Sequence, residues 1–257
     1  MILTADYHTH TKYSHGKGTV LQNALAAKEK GLKEIGITDH GFSHPAFGLR
    51  ARKLKPLRMD CEGASAITGV KVLVGVESNI VCTDGKVDLT EKRYDNFDLF
   101  LAGFHKFVIY RKGSFFSFFT PNFVNSTFKK KEVSKRLIDT NTKTFINVIK
   151  KNPVDIITHL NFCCYANAEE VAKACADYGT YLELNAKKVH LTDEELYRVV
   201  KTGVNFVIDS DAHSPDRVGE ISLVEKWLKR VEIPEDRIMN INGKTPDFRF
   251  SRYKGKR

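Results

Sequence analysis

Seven short apolar runs recur along the 257 residues, and the segments between most of them carry helical signals. The runs are Ile2–Ala5, Glu34–Thr38, Val70–Val76, Leu99–Gly103, Val154–Thr158, Thr180–Leu184 and Val204–Ile208. Most are continuous rather than alternating, which marks strands buried on both faces. A strand–helix rhythm of this kind predicts a parallel sheet covered by helices. No Pro/Gly/Ser-rich linker divides the chain, so one sheet closed into a barrel fits better than two domains. Expected helices are Val20–Lys30 behind a Thr19 cap, Asp60–Thr68, Glu132–Lys151, Ala168–Tyr178, a segment capped by Thr192 with Glu195, and Ser222–Val231. Within Glu132–Lys151 the inward positions are expected to include Val133, Leu137, Thr144, Ile146 and Ile149. Asp84-Gly85 predicts a small antiparallel excursion within Val81–Val87. The stretch Phe42–Arg58 is basic and irregular. Phe107–Phe128 is aromatic-rich without a clean period, and reads either as a loop or lid over a site or as a homo-oligomer contact.

The strand ends carry the chemistry. The first run leads into Asp6-Tyr7-His8-Thr9-His10, followed by His15. Residues two apart on a strand share a face, so His8 and His10 project together. Later runs end at Asp39-His40, Glu77, His105, His159 and Asp211-Ala212-His213. In barrels with parallel strands, functional groups gather at the C-terminal strand ends. Six of the seven runs deliver a histidine or a carboxylate there, which chance does not readily supply. Of the nine histidines, only His44 and His190 fall outside the set, in expected loops open to solvent.

Seven imidazoles and two carboxylates without a thiolate suit zinc, manganese or iron. Nine ligands exceed the roughly four that one ion takes, so two or three divalent ions sharing a carboxylate fit the count. Paired ions clamp an anion and lower the pKa of a water, which suits phosphate ester hydrolysis. A net charge of +10 also favours an anionic partner. Part of that excess lies in a basic stretch, 251–257, expected as a tail beyond a domain spanning 1–250. The five cysteines form no Cys-x-x-Cys pair, which argues against a disulfide framework or a thiolate zinc knuckle; Cys163 and Cys164 lie close after His159. No apolar run is long enough to cross a bilayer. The chain opens directly on a strand without a signal-peptide layout, so a cytoplasmic location is the default expectation.

His8-Thr9-His10, His15, Asp39-His40, Glu77, His105, His159 and Asp211-Ala212-His213 resemble, in order, the motifs of the PHP (polymerase and histidinol phosphatase) superfamily. The resemblance spans nearly the whole chain. It implies a distorted (β/α)7 TIM-like barrel forming a single domain, with a trinuclear metal centre and a bridging hydroxide as nucleophile. Carried over, one ion takes His8, His10, Glu77 and Asp211. A second takes Glu77 as a bridge, with His105 and His159. The third takes His15, His40 and His213. Asp211, beside the hydroxide, is also a candidate proton relay. Candidate contacts to the substrate phosphate are Lys187, Lys188, Arg217, Lys106 and the Thr158 hydroxyl, with the basic loop holding Arg50 and Arg52. The leading expectation is a stand-alone metal-dependent phosphatase acting on a small phosphorylated substrate. Histidinol-phosphate phosphatase is the alternative, although Ala186-Lys187-Lys188 stands where members with that activity tend to carry an arginine. A nuclease-like phosphodiesterase, or a nucleic-acid-binding module with structural metals, is permitted by the charge. The nucleic-acid-binding module is not favoured, because the lysines at 129–131 form one block rather than interleaving with the aromatics.

Overall fold

The computed structural model describes residues 1–128 and 133–256. In chain order the elements are β1 (Ala5–Thr9), α1 (Val20–Glu29), β2 (Glu34–Ile37), α2 (Leu54–Thr68), β3 (Lys71–Asn79) and β4 (Leu99–Gly103). A helical segment over 112–127, α3, follows, then α4 (Lys135–Lys151), β5 (Ile156–Ile157), α5 (Ala168–Tyr178) and β6 (Tyr181–Asn185). The chain continues through α6 (Asp193–Val200), β7 (Phe206–Asp209), α7 (Ser222–Leu228) and α8 (Arg249–Lys254). The seven strands lie side by side in chain order and every neighbouring pair is parallel. The result is a nearly closed barrel with helices outside, as the continuous apolar runs predict.

Two apolar clusters divide along the pleat. Ala5, Tyr7, Leu73, Leu99, Leu101, Ile156, Tyr181, Val207 and Phe248 form an inner plug. Their neighbours along the strands, such as Val74, Phe100, Leu182 and Ile208, belong to the larger cluster. On β3 and β6 this alternation carries inward to Glu77 and Glu183. On β1 it is interrupted: the β1–β2 register shifts between Asp6 and Thr9, so Thr9 pairs with Ile37. The extra residue is a β-bulge. It lets Tyr7 stay in the plug while His8 and His10 also turn inward.

The barrel closes at a seam rather than along a full ladder. Thr9 and Ala212 make one parallel bridge. The His10 N–H donates to the Ala212 carbonyl (2.8 Å) and the Ala212 N–H to that of His8 (3.2 Å). Below it, fully buried Asn240 fills the gap between β1 and β7. Its amide donates to the Ala5 (2.8 Å) and Ile208 (2.7 Å) carbonyls and its oxygen accepts from the Ile208 N–H (2.9 Å).

Several expectations need correction. The helix expected from Asp60 starts at Leu54, because Pro56 falls in its first turn, where a missing N–H and a fixed φ do no harm. The stretch 107–128, read as either a loop or lid or a homo-oligomer contact, is no loop over 112–127 but helical, with a π-helical turn at Phe115–Phe119. That turn inserts residues out of phase and erases the 3.6-residue period. It buries Phe118 against Phe104 (ring centroids 5.4 Å apart) and stacks Phe119 on Tyr110 (4.8 Å). Along α4, Thr144 and Ile149 are buried as expected, together with Phe145 and Val148, whereas Val133, Leu137 and Ile146 are only half-buried. The expected start of α4 at Glu132, the lysines at 129–131 and the last residue, Arg257, lie outside the described residues. The Asp84-Gly85 turn is present, closed by a single antiparallel bridge between Ile80 and Val87. The basic stretch from 251 is, as far as Lys254, part of α8. Its Phe250 is fully buried, and the Phe250 N–H donates to Asp155 Oδ1 (2.7 Å). Among the described residues, no helix is long and apolar enough to cross a membrane.

Replacing Asn240 with alanine strands three buried backbone groups at the seam. It is expected to lower unfolding stability by about 3–5 kcal/mol, read as a shift of the urea midpoint at unchanged slope.

Candidate metal centre

The nine strand-end residues converge on one rim. His8 lies in β1, His10 directly after it, and Glu77 in β3; the others sit on the loops that leave the strands. Three sets hold ligand atoms within 4.8 Å of one another: His10, His40 and His213; His8, His10 and Asp211; His40, Glu77 and His105. Around the first-strand pair, His8 Nε2 lies 3.1 Å from His10 Nε2, 3.4 Å from Glu77 Oε1 and 3.8 Å from Asp211 Oδ1. His10 Nε2 lies 3.6 Å from Glu77 Oε2 and 3.5 Å from Asp211 Oδ1. A tetrahedral ion with bonds of about 2.1 Å spaces its ligand atoms about 3.4 Å apart, so His8, His10 and Asp211 are spaced as a cation would need them, with the Glu77 carboxylate alongside. Glu77 Oε1 also meets His159 Nε2 at 2.7 Å and His105 Nε2 at 3.1 Å. Its Oε2 is 2.8 Å from His40 Nδ1, yet both atoms are buried without an aligned hydrogen bond. Unpartnered buried polar atoms facing one another are what a shared cation would satisfy. His15 completes the rim by ring contact, stacked on His40 (4.7 Å) and edge-on to His213 (4.4 Å).

Buried carboxylates behind the rim hold it in place. Asp39 accepts from the Thr11 N–H (2.8 Å), the Thr11 hydroxyl (2.6 Å) and the Ser14 hydroxyl (2.5 Å), which fixes the turn carrying His15. Asp6 accepts from the Ser210 hydroxyl (2.5 Å) and the Gly219 N–H (2.9 Å), tying β1 to the loop that bears Asp211. Glu183 Oε1 meets His8 Nδ1 at 2.5 Å, and Oε2 accepts from the His159 N–H at 2.5 Å. With Nδ1 engaged, His8 is left with Nε2 toward the cluster. Gly103 must stay a glycine, because a Cβ there would stand 2.8 Å from the His159 ring. His159 and Asp211 adopt left-handed backbone, at φ 30° and 49°, strain of the kind that collects at functional sites.

Burial opposes charge here, and the cluster overrides it for the acids. It would raise the Glu77 carboxyl, but His105, His8 and His40 hold it well below the usual range. Asp211 is likewise held well below by His8, His10 and Lys187. Burial would lower His8, but Glu183, Glu77 and Asp211 keep it well above the ordinary imidazole value. His10 is pushed well below by burial and by His40. His15 falls to about 3 and His190 to about 4, again chiefly through burial. Ionised Glu77 and Asp211 beside a neutral His10 and His15 are ligands in the protonation state that a divalent ion requires.

Above the rim lies a cavity of about 440 Å³. Lys106, Lys187 and Lys188, three of the candidate phosphate contacts, line it. Lys187 Nζ stands 3.3 Å from Asp211 Oδ1 and 3.1 Å from His213 Nδ1. Arg217 does not join them: it is exposed on the short turn Pro215–Arg217. Arg50 turns to the His44 and Pro45 carbonyls, and Arg52 is exposed. Thr158 is fully buried and donates to Glu77 Oε1 (3.2 Å), so its hydroxyl backs the carboxylate. His44 and His190, expected in solvent, both line the cavity. Glu183 escapes the sequence reading, although a lone carboxylate inside the apolar run Tyr181-Leu182-Glu183-Leu184 was its signal.

Residues 6–187 match the PHP domain. Over 265 residues the chain is 32% identical to a protein of Thermoanaerobacter sp. (strain X514) named a probable phosphatase, covering 96% of this chain and 95% of that one. It is 31% identical over 248 residues to another so named, from Caldanaerobacter subterraneus subsp. tengcongensis, covering 93% and 87%. The histidinol phosphate phosphatase of Lactococcus lactis, solved with zinc, L-histidinol and phosphate, aligns with a TM-score of 0.62 at 15% identity, covering 96% and 100%. At that identity the likeness shows a shared fold.

Replacing Glu183 with glutamine frees the His8 ring from its carboxylate. It is expected to weaken divalent-metal uptake about 10–100-fold, measured by competition with a chromogenic chelator, while far-ultraviolet circular dichroism stays native.

Proposed function

We propose that this chain, which belongs to the PHP domain family, is a metal-dependent phosphatase that hydrolyses phosphate monoesters at a three-ion centre. One ion would be held by His8, His10, Glu77 and Asp211, a second by Glu77, His105 and His159, and a third by His15, His40 and His213. The observation that carries the reading is the Glu77 carboxylate. It is fully buried, with imidazole nitrogens of His8, His105 and His159 within 3.4 Å of Oε1 and those of His40 and His10 within 3.6 Å of Oε2. So many imidazoles around one acid make sense as ligands of cations that the acid bridges. Relatives named phosphatases support the reaction class.

Zinc, manganese or iron ions bound there supply Lewis acidity and make a water ionise near neutrality. The protein's own groups do the rest. Lys187, beside Asp211 and His213 at the cavity floor, places a fixed positive charge where phosphoryl oxygens would lie. Asp211, held ionised, accepts the proton of the attacking water at its carboxylate. The water oxygen bonds to phosphorus as the ester P–O bond breaks, the leaving oxygen takes the proton that Asp211 accepted, and the second water proton stays on the phosphate. Inorganic phosphate and an alcohol result.

The test is turnover of p-nitrophenyl phosphate by protein loaded with Mn²⁺ or Zn²⁺. Activity is expected to vanish with a chelator and return on adding metal. Glu77→Gln is expected to lower kcat by about 10²–10³-fold. Turnover that survives full metal removal, or that is unchanged in Glu77→Gln, would overturn the proposal.

A further inference from the structure

The floor of the cavity suits any phosphoryl group, so selectivity must come from its mouth. We infer that the mouth selects phosphomonoesters whose leaving group is an aromatic ring bearing a second negative charge. The inference rests on the phosphatase reading above and specifies its substrate class.

Three phenylalanines from three different loops surround the opening: Phe47 after β2, Phe107 after β4 and Phe162 after β5. Phe47 is 45% and Phe107 64% exposed. Phe47 and Phe162 are held by imidazoles of the same cavity: Phe47 lies 5.0 Å from both His15 and His44, and Phe162 lies 5.2 Å from His159 and 5.0 Å from His190. Phe107 meets one ring, Phe123, edge-on at 6.2 Å. Among the described ring pairs the three do not touch one another, and Phe47 and Phe107 keep exposed surface at the cavity. Apolar surface held open around a cavity gains most from a flat apolar guest, since aromatic pairs are favoured beyond the area they bury.

The charge of the mouth is one-sided. The only carboxylates among the described lining residues are Glu77 and Asp211, both on the floor and both surrounded by basic groups. Lys106 and Lys188 line the cavity and have no ion-pair partner among the described residues. A leaving group carrying an ammonium would meet lysines and no free acid. One carrying a carboxylate or a second phosphate would meet two unpaired ammonium groups. Two partly exposed pairs are worth about 10-fold in affinity together, and repulsion widens the gap for a cation. The cavity, about 440 Å³, admits a phosphorylated ring and not a folded nucleic-acid strand.

The test compares three aryl phosphates of matched leaving-group acidity on metal-loaded enzyme: 3-(4-phosphonooxyphenyl)propanoate, 4-ethylphenyl phosphate and tyramine O-phosphate. The expected order of kcat/KM is carboxylate, then neutral, then amine, with at least about 10-fold between the ends, lying mainly in KM and shrinking at high salt. In Lys106→Met/Lys188→Met the spread is expected to fall below about 3-fold. A second pair, benzyl and cyclohexylmethyl phosphate, isolates the ring, and Phe107→Ala is expected to erase the preference for benzyl. An amine ester used as well as the carboxylate ester, or a spread unmoved by the double lysine variant, would overturn the inference. Calorimetric binding of the corresponding phosphonates gives the same comparison without turnover. If no ester is hydrolysed, the phosphatase reading falls, and phosphonate selectivity alone decides the character of the mouth.

Discussion

The seam between β1 and β7 is the constraint on which the rest depends. Those strands carry, at or just past their ends, four of the nine candidate ligands: His8, His10, Asp211 and His213. They are far apart in sequence, and only closure of the barrel makes them neighbours. A regular ladder would close it, but would also hold β1 in strict alternation, with Tyr7 inward and His8 outward. The structure instead gives β1 a bulge and closes on a single bridge, Thr9 with Ala212. Side chains replace the missing ladder. Asn240 serves the backbone of both strands below the bridge, and Asp209 Oδ1 accepts from the Tyr7 N–H (2.7 Å) within it. Asp6 reaches the Ser210 hydroxyl above. The irregularity that would weaken a sheet is thus what turns two imidazoles into the barrel.

Stability and site chemistry pull against each other at the rim. Glu77, Asp211, His8 and His10 are taken out of water, where an ionised group is costly unless it is paired and hydrogen-bonded. Glu77 Oε2, His40 Nδ1 and His105 Nδ1 have no hydrogen-bond partner, and His159 and Asp211 hold strained backbone. Cations at this rim would offset these terms together, so metal binding and folding share one free energy. The inner plug from Ala5 to Phe248 supplies the stiffness that lets the rim persist in its strained form.

The strand ends were legible because two local signals coincide there: an apolar run stops, and a ligand-type residue follows. That signal located His8, His40, Glu77, His105, His159 and Asp211 without any knowledge of pairing. What escaped depends on distance in the chain. A bulge in β1 is defined by its register against β2, and nothing local in Asp6-Tyr7-His8-Thr9 reports it. Asn240 lies in a segment without strand or helix, so its role at the seam has no periodic trace. The π-turn of α3 destroyed the period by which a helix is recognised. His44 and His190 read as solvent-facing because loops usually are, yet both line the cavity.

Floor and mouth of the cavity are built on different principles, and this separates reaction from selection. The floor groups sit at strand ends, where the ladder and the buried carboxylates behind it limit displacement. A change there disturbs several side chains at once, since five imidazoles meet the one Glu77 carboxylate. The mouth groups sit on loops whose backbones contribute little to the barrel. Phe47, Phe107 and Lys188 are exposed, and exposed side chains can be exchanged at little cost in folding free energy. A barrel of this kind can therefore keep one hydrolytic chemistry while the charge and flatness of its opening vary. In this chain the opening is aromatic and cationic, and the selection it imposes follows from those two properties alone.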